Sequence, residues 1–551
     1  MANHEITGAR HPRGTAARVL LSSVFGPYAQ DDEYGSRLIN PMELLHNQVT
    51  REQGEFSPRR FHGSWGLLMI QENISAPCTV LDFPTRASFI RELQTHRYDI
   101  VGISGIVINL GKVKEMCRLV REVSPHSVVI VGGHVAAYPA LEQRVDADHV
   151  VRGEGIAWMR SYLGEDPEAS IRHPLLISGF GLRVMGLSLP MADRATAAII
   201  PSVGCPMGCD FCTTSAFFGG KGKMINFFPT GESLYRVMEE ASDRLGSNSF
   251  SIMDENFLLN RKRALELLEL MKQNDRSWSI HTFSSANAIR QYSMEELLEL
   301  GIATLWIGLE SPKASYAKLK GVDLRQLTGE LMENGIVLMG STIIGLEHHT
   351  PENIDEEIAA AVAYDTDFHQ FMLYSPGPGT ELFRRLEEEG RISLDELEPA
   401  DGHGQYKFVF EHRAISKDDS KVFLDRAFRR DFEQNGPSLY RMIRTQYRGW
   451  KRHHRHPDPR VRARFHNQLP SFRYAYPPLL WAMEKRLEDL GLPGAAPVRA
   501  LRGEMEREFG PVTAVAARAL GPLLRWTSAR EAKRMARGWT YEPKPAVYRR
   551  R

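Results

Sequence analysis

The stretch Gly204-Cys205-Pro206-Met207-Gly208-Cys209-Asp210-Phe211-Cys212 follows directly on an apolar run, residues 198–203, that reads as a buried β-strand. A strand that passes straight into such a loop sets it at the mouth of a parallel barrel, where loops display functional groups. The chain has five cysteines, and three of them, Cys205, Cys209 and Cys212, fall within eight residues. The other two, Cys78 and Cys117, stand alone and read as structural, Cys117 on an amphipathic helical pattern. An odd, sparse count is a poor disulfide framework. Three thiolates this close can hold three corners of a 4Fe–4S cube and leave one iron open to a small molecule. A zinc knuckle would need a fourth ligand nearby, and no His or Cys follows before His281.

Downstream of the loop, strands are expected at 249–253, 278–283, 304–308, 337–344 and 369–373. Amphipathic helices at 230–245, 261–273, 293–300 and 323–334 fill gaps between them. Six such units suit a (β/α)6 partial barrel, assigned to residues 195–390. Upstream, strands at 18–22, 79–82, 99–104, 127–133 and 149–152, with a helix at 111–122, imply a doubly wound, Rossmann-like α/β sheet over residues 1–165. Ligands in such sheets sit beyond the C-terminal strand ends, here near residues 104–109, 132–138 and 153–155. Residues 166–194 read as a linker, and residues 391–551 as a helical region rich in Arg, Trp and Tyr.

Composition narrows the function classes. At 551 residues the chain has room for two to four domains. Its 42% hydrophobic and 25% charged residues are ordinary for a globular protein. Lys plus Arg (69) against Asp plus Glu (68) gives net +1, too weak a field for nucleic acid to be an expected partner. No run of 18 apolar residues exists, and residues 1–14 lack the apolar stretch of a signal peptide, so a cytoplasmic protein is expected.

The cysteine spacing, with an aromatic residue before the last Cys, is similar to the motif of the radical S-adenosylmethionine (SAM) enzymes. Cys205, Cys209, Phe211 and Cys212 match it position by position, and the resemblance spans about residues 195–386. It implies that SAM chelates the open iron. An electron from the reduced cluster, delivered by a reductase or flavodoxin-type donor, then yields methionine and a 5′-deoxyadenosyl radical. The same resemblance implies cofactor contacts at the ends of successive barrel strands: Asp254 and Glu255, Ser285, Glu310 with Ser311, and Gly345. Taken singly, a carboxylate after a strand is more often a solvated loop residue.

Upstream, Gly102-Ile103-Ser104-Gly105, Val131-Gly132-Gly133-His134 and Arg152-Gly153-Glu154-Gly155 resemble the cobalamin-binding domain that precedes many radical SAM enzymes. Glycines let backbone approach a flat ligand closely. The implied cobalamin contacts are Ser104, Gly132, Gly133, His134, Gly153 and Glu154. The Asp-x-His-x-x-Gly motif that supplies a histidine below cobalt is missing, so the resemblance implies a displaced tail base and a cobalt without a lower His, with His134 a wall residue.

Residues 440–464 hold nine Lys or Arg (Arg441, Arg444, Arg448, Lys451, Arg452, Arg455, Arg460, Arg462 and Arg464) near Tyr440, Tyr447, Trp450 and Phe465. They read as a solvated helix face or as a contact for anionic lipid or a phosphorylated substrate, with nucleic acid third. Phe217, Phe218, Phe227 and Phe228 fit either a cavity wall or a core. The combined resemblance implies a cobalamin-dependent C-methyltransferase that moves methyl from methylcobalamin to an unactivated carbon of a small molecule or lipid, hopanoids and isoprenoids included. A peripheral membrane contact would run through the basic C-terminal region. The rivals are cobalamin-dependent cyclisation, ring rearrangement or oxidation, and a non-catalytic iron–sulfur or cobalamin regulator.

Overall fold

The computed structural model describes residues 10–26, 32–35, 37, 43, 45–188, 196–311, 316–542 and 544–550. Residues 1–9 of the expected N-terminal unit and 189–194 of the expected linker lie outside them.

Two parallel sheets organise the chain. Strands β1 (Val19–Ser23), β3 (Cys78–Asp82), β4 (Ile100–Ser104), β5 (Val128–Gly132) and β6 (His149–Val150) form the first, ordered β3-β1-β4-β5-β6. Strands β1 and β3 are buried along their whole length, which is why they read as apolar runs rather than alternating patterns. Helix Leu110–Val123 covers one face, burying Val113, Met116, Cys117 and Val120. The strand order reverses between β1 and β4, so the crevice beyond Ser23 and Ser104 is the topological switch point, where such sheets take ligands.

The second sheet curls into the partial barrel. It contains β7 (Leu176–Ile177), β10 (Ala197–Ile199), β13 (Ser249–Ile252), β14 (Ser279–Phe283), β15 (Ile302–Glu310), β16 (Val337–Ile344) and β17 (Phe368–Leu373), in the order β17-β16-β15-β14-β13-β10-β7. The six strands from β10 to β17 are parallel, and β7 adds antiparallel at the open edge. A short pair, β11 (Ser202–Val203) with β12 (Ile225–Asn226), closes the base of the cysteine loop.

Three expectations are corrected. The stretch read as a linker carries β7 and a hairpin, β8 (Phe180–Val184) with β9 (Leu187–Ser188), which pairs with β2 (Arg59–Phe61) in a sheet of its own. The C-terminal region is not wholly helical: β18 (Ala546–Arg550) returns to the first sheet and pairs antiparallel with β3. Arg549 there makes a two-pronged bond to Glu92, both at 2.8 Å. Finally, the basic stretch 440–464 is a solvated face only in part: Arg448, Lys451, Arg452 and Arg455 are exposed, while most of the rest turns inward. Tyr440, Arg441, Tyr447, Trp450, Arg460, Arg464 and Phe465 are all buried. Arg441 bonds both oxygens of Asp431 (2.9 and 2.7 Å) and Arg444 bonds Asp365 (2.8 Å), so those cations brace helices against the barrel. Among the described residues no helix is long and apolar enough to cross a membrane.

Removing residues 545–551 strips the cover from the β3 edge. It is expected to lower the urea midpoint of unfolding, because the first sheet shares one apolar core with the barrel. Arg549→Ala alone should cost about 1 kcal/mol, because the pair is partly solvated. Burial also pushes His173, His281 and His369 down to about 4. Their folded values lie below the unfolded value, so stability is whole above pH 6.5 and declines as pH falls toward 4. Each group contributes up to about 1.4 kcal/mol per pH unit across that window, measurable by urea unfolding at pH 7.5 and pH 5.

Candidate functional site

The cysteine loop leaves β11 through Gly204 and turns again at Gly208, both with positive φ (86° and 63°). A Cβ on Gly208 would lie 2.5 Å from Cβ of Lys221, so the loop closes only with glycine there. Cys212 N–H donates to the Cys209 carbonyl at 3.0 Å, and its sulfur receives Ser215 N–H at 3.5 Å. Ser215 Oγ donates to the Cys205 carbonyl at 2.7 Å. Backbone bonds therefore aim three half-buried sulfurs into one space. Burial first, then the neighbouring Cys212, Cys209 and Glu255, pushes Cys205 up to about 11. Burial likewise raises Cys209, while Lys318 pulls it the other way. A set of three thiols with no imidazole among them suits an iron–sulfur cluster with one open corner. By contrast, Cys78 and Cys117 are fully buried, each raised to about 12 by burial.

Phe211 packs edge-on against Tyr316 and Tyr374, with ring centroids 5.3 and 6.3 Å away. The Lys318 ammonium lies 5.4 Å from its centroid. Lys318 also pairs with Glu310, which is buried and held at φ 58° where the β15 ladder slips register. Nothing in the sequence pattern singled out Lys318, because it follows no strand end.

The carboxylates after β13 divide the work. Asp254 is occupied: Ser202 Oγ donates to it at 2.6 Å, Asn256 N–H at 2.9 Å, and the buried Arg263 guanidinium pairs with it. It braces the barrel mouth. Glu255 is the neighbour turned to the sulfur loop, with Oε2 buried and without a hydrogen-bond partner. Burial lifts it to about 7, against a bond from the Gly204 backbone. Ser285 is tied to Asn256 and Asn287 (2.9 and 2.7 Å). Ser311 Oγ donates to Glu357 at 2.9 Å. Gly345 N–H donates to His349 Nδ1 at 2.9 Å, and Phe408 packs where its Cβ would stand. Ser285, Ser311 and the Gly345 amide thus hold the strand-end loops in shape.

A cavity of about 900 Å³ begins at the first sheet and ends inside the barrel. Ser104, Gly132, Gly133, His134, Gly153 and Glu154 all line its first arm. Gly133 has φ 80°, and a Cβ there would sit 2.6 Å from the Gly105 carbonyl and 2.7 Å from Ser104 Oγ. Glu154 uses its carboxylate to cap helix Gly155–Tyr162, accepting from Ile156 and Ala157 N–H. Asn109 Nδ2 and His134 Nε2 are buried and without hydrogen-bond partners at this arm. A corrinoid is broad, flat and fringed with amides, so a glycine floor beside unpaired polar atoms fits it. His134 stacks on Phe217 at 4.8 Å, and burial lowers it to about 4, leaving a neutral ring. Phe217, Phe218 and Phe227 also line the cavity, whereas Phe228 is buried in the barrel core.

Inside the barrel, polar atoms satisfy one another. His281 bonds Ser249 and Thr304 (3.0 and 2.8 Å), and Trp306 Nε1 donates to Ser341 at 2.6 Å. The walls left to the cavity are mostly apolar, with Phe283 and Trp306 stacked 5.0 Å apart and Met339 and Phe368 nearby, and Arg60 adds one charge. The sequence pattern marked these only as strand residues, since inward and outward positions differ by register alone.

Residues 66–161 match the family model of the B12 binding domain, and residues 199–361 that of the radical SAM superfamily. The chain is a cobalamin-binding radical SAM enzyme. Cobalamin goes with the first matched domain, and a 4Fe–4S cluster with SAM goes with the second. This radical SAM enzyme is 27% identical over 325 residues to an uncharacterized methyltransferase of Pyrococcus horikoshii, covering 52% of this chain and 68% of the relative. It is 24% identical over 350 residues to the hopanoid C-2 methylase of Rhodopseudomonas palustris, covering 60% and 63%. It is 25% identical over 354 residues to an anaerobic magnesium-protoporphyrin IX monomethyl ester cyclase of Rubrivivax gelatinosus, covering 55% and 61%.

Gly133→Ala is expected to open the paired turns at Ser104–Gly105. Protein carrying it should take up cobalamin at less than a tenth of the wild-type stoichiometry, read from the corrinoid absorbance. The brown cluster chromophore should be unchanged.

Proposed function

We propose that this enzyme is a C-methyltransferase that acts on an unactivated carbon of a bulky apolar small molecule. The observation that carries this reading is the single cavity. It runs from the glycine turns of the first sheet, past Val203, Phe217 and Phe218 beside the cysteine loop, into an apolar barrel interior. When bound, the cluster with SAM supplies a hydrogen-abstracting radical and cobalamin supplies a transferable methyl group. The chain's own part is to bring those groups and one substrate carbon together and to keep water out.

In this reading Cys205, Cys209 and Cys212 hold the cluster. Phe211, Glu255 and Glu310 face SAM, Glu310 with Lys318 as its counter-ion. Asp254, Ser285, Ser311 and Gly345 position the strand-end loops. Ser104, Gly132, Gly133, His134, Gly153 and Glu154 form the cobalamin wall, with Asn109 added as an amide partner. A neutral His134 stacked on Phe217 acts as wall rather than ligand. Aromatic and thioether walls favour an isoprenoid or polycyclic body, and Arg60, which also lines the cavity, is the charge that a polar end of the substrate would meet. A reductase or flavodoxin-type protein delivers the electrons.

A cyclase relative keeps a second reading open to measurement. Methyl transfer adds about 14 Da to the product, whereas cyclisation or rearrangement adds no methyl mass. Reduced, cluster-loaded protein with cobalamin, SAM and lipid extract is expected to give 5′-deoxyadenosine and a product heavier by that amount. Cys209→Ala should abolish both, with cobalamin uptake retained. A product without the added mass would overturn methyl transfer, and absent 5′-deoxyadenosine would overturn the radical reading.

A further inference from the structure

Helix Pro511–Met535 is built inside out. The side that packs against the protein carries small or polar residues, with Thr513, Ala517, Gly521 and Ser528 buried. Gly521 lies against the Trp481 ring, where a Cβ would come within 2.5 Å. The large apolar residues face water instead. Val512, Val515, Leu520, Leu523 and Trp526 are exposed at 60%, 64%, 49%, 53% and 57%. Positions 512, 515, 519, 523, 526 and 530 follow steps of three and four, so they form one continuous stripe along the helix. A monomer in water gains nothing from such a stripe.

Its charge points to the occupant. Beyond Trp526 the stripe becomes cationic, with Arg530, Lys533 and Arg537 exposed, and Arg518 is exposed beside its apolar half. The Arg530 guanidinium lies 5.4 Å from the Trp526 ring centroid. The helix's one acid, Glu531, is buried and bonded twice to Arg183 at 2.6 and 2.7 Å. On the adjoining helix Tyr476–Leu490, Asp489 is held by Arg525 and Arg486. Within this helix every exposed charge beside the apolar stripe is a cation, which complements an anionic lipid surface. A second copy docked with the two helices parallel would set like charges opposite one another across the twofold axis.

The structure assigns this face as a membrane-surface docking site, on which the enzyme rests without crossing the bilayer. The opposite, inward side of the helix sits one strand away from the cavity. Thr527 Oγ1 donates to the Met185 carbonyl at 3.0 Å and Arg183 pairs with Glu531, while the alternating residues of β8, Leu182 and Val184, line the cavity. An apolar substrate held in a bilayer would therefore have a short path to the barrel. That link rests on the apolar-substrate reading; the docking surface does not.

Flotation of the full-length protein with vesicles tests it. The wild type is expected to float with phosphatidylcholine:phosphatidylglycerol (7:3) vesicles and to bind pure phosphatidylcholine far less. Arg530→Glu with Lys533→Glu should weaken anionic-vesicle binding by at least roughly 30-fold. Leu523→Glu with Trp526→Glu should abolish flotation while thermal midpoint and cobalamin uptake stay at wild-type values, since neither side chain reaches the core. Three results would overturn the assignment: wild type that stays with the dense fraction, a Leu523/Trp526 variant that floats like wild type, or a dimer in light scattering that this variant converts to monomer. None depends on catalytic turnover, so failure here is distinguishable from failure of the methyl-transfer reading.

Discussion

Two parallel sheets must present the C-terminal ends of their strands to one cavity, and a shared apolar core enforces that. Leu20, Val101 and Val129 of the first sheet and Met116 of its covering helix belong to the same buried cluster as Ile343 and Phe371 of the barrel. Leu424 and Phe428 of helix Lys417–Asn435 complete it. Separating the sheets would expose that whole surface to water, at roughly 25 cal/mol for each Å² uncovered. Within the barrel unit, Leu382 N–H donates to the Asp210 carbonyl at 3.0 Å, which ties the sulfur loop to the end of the barrel. The distance between glycine turns and sulfur loop is thus a property of packing, not of flexible linkage.

The electrostatics of the barrel mouth follow from that burial. Three thiols, Glu255, Glu310 and Asp210 crowd a small space with Lys318 as the counter-charge. Burial and neighbouring negative charge favour the protonated thiol at Cys205, so a metal centre that binds there must displace protons as it does so. Further out, the polar groups are paired among themselves: Asp254 with Arg263, Ser311 with Glu357, Gly345 with His349. Those pairs hold loops still while Glu255 Oε2 faces the sulfur loop without a hydrogen-bond partner.

Much of this was legible from residues alone. The apolar runs of β1, β3 and β5 and the 3.6-residue periodicity of helix Arg261–Gln273 are local signals, and they matched the folded elements closely. Cys205, Cys209 and Cys212 carry their spacing in sequence. What local pattern missed has a common cause. Asp254 and Glu255 are adjacent and chemically alike, and only Arg263, a turn into the next helix, decides which carboxylate is spent on bracing. The Arg-rich stretch at 440–464 is charged and aromatic in sequence, but Asp431 of helix Lys417–Asn435 and Asp365 of a barrel loop take Arg441 and Arg444, and the rings turn inward. Strand β18 is a pairing made across more than 450 residues, for which no short window holds a signal.

Sequence by itself determined the cysteine spacing, the glycine turns, the strand and helix periods and the near-neutral charge, because each is a relation among neighbours along the chain. Tertiary structure alone decided which polar side chains are consumed by partners, that one apolar cavity links the two sheets, and that helix Pro511–Met535 turns its large residues outward. Those depend on which surfaces meet in space, and packing chooses among many arrangements that the same local patterns allow.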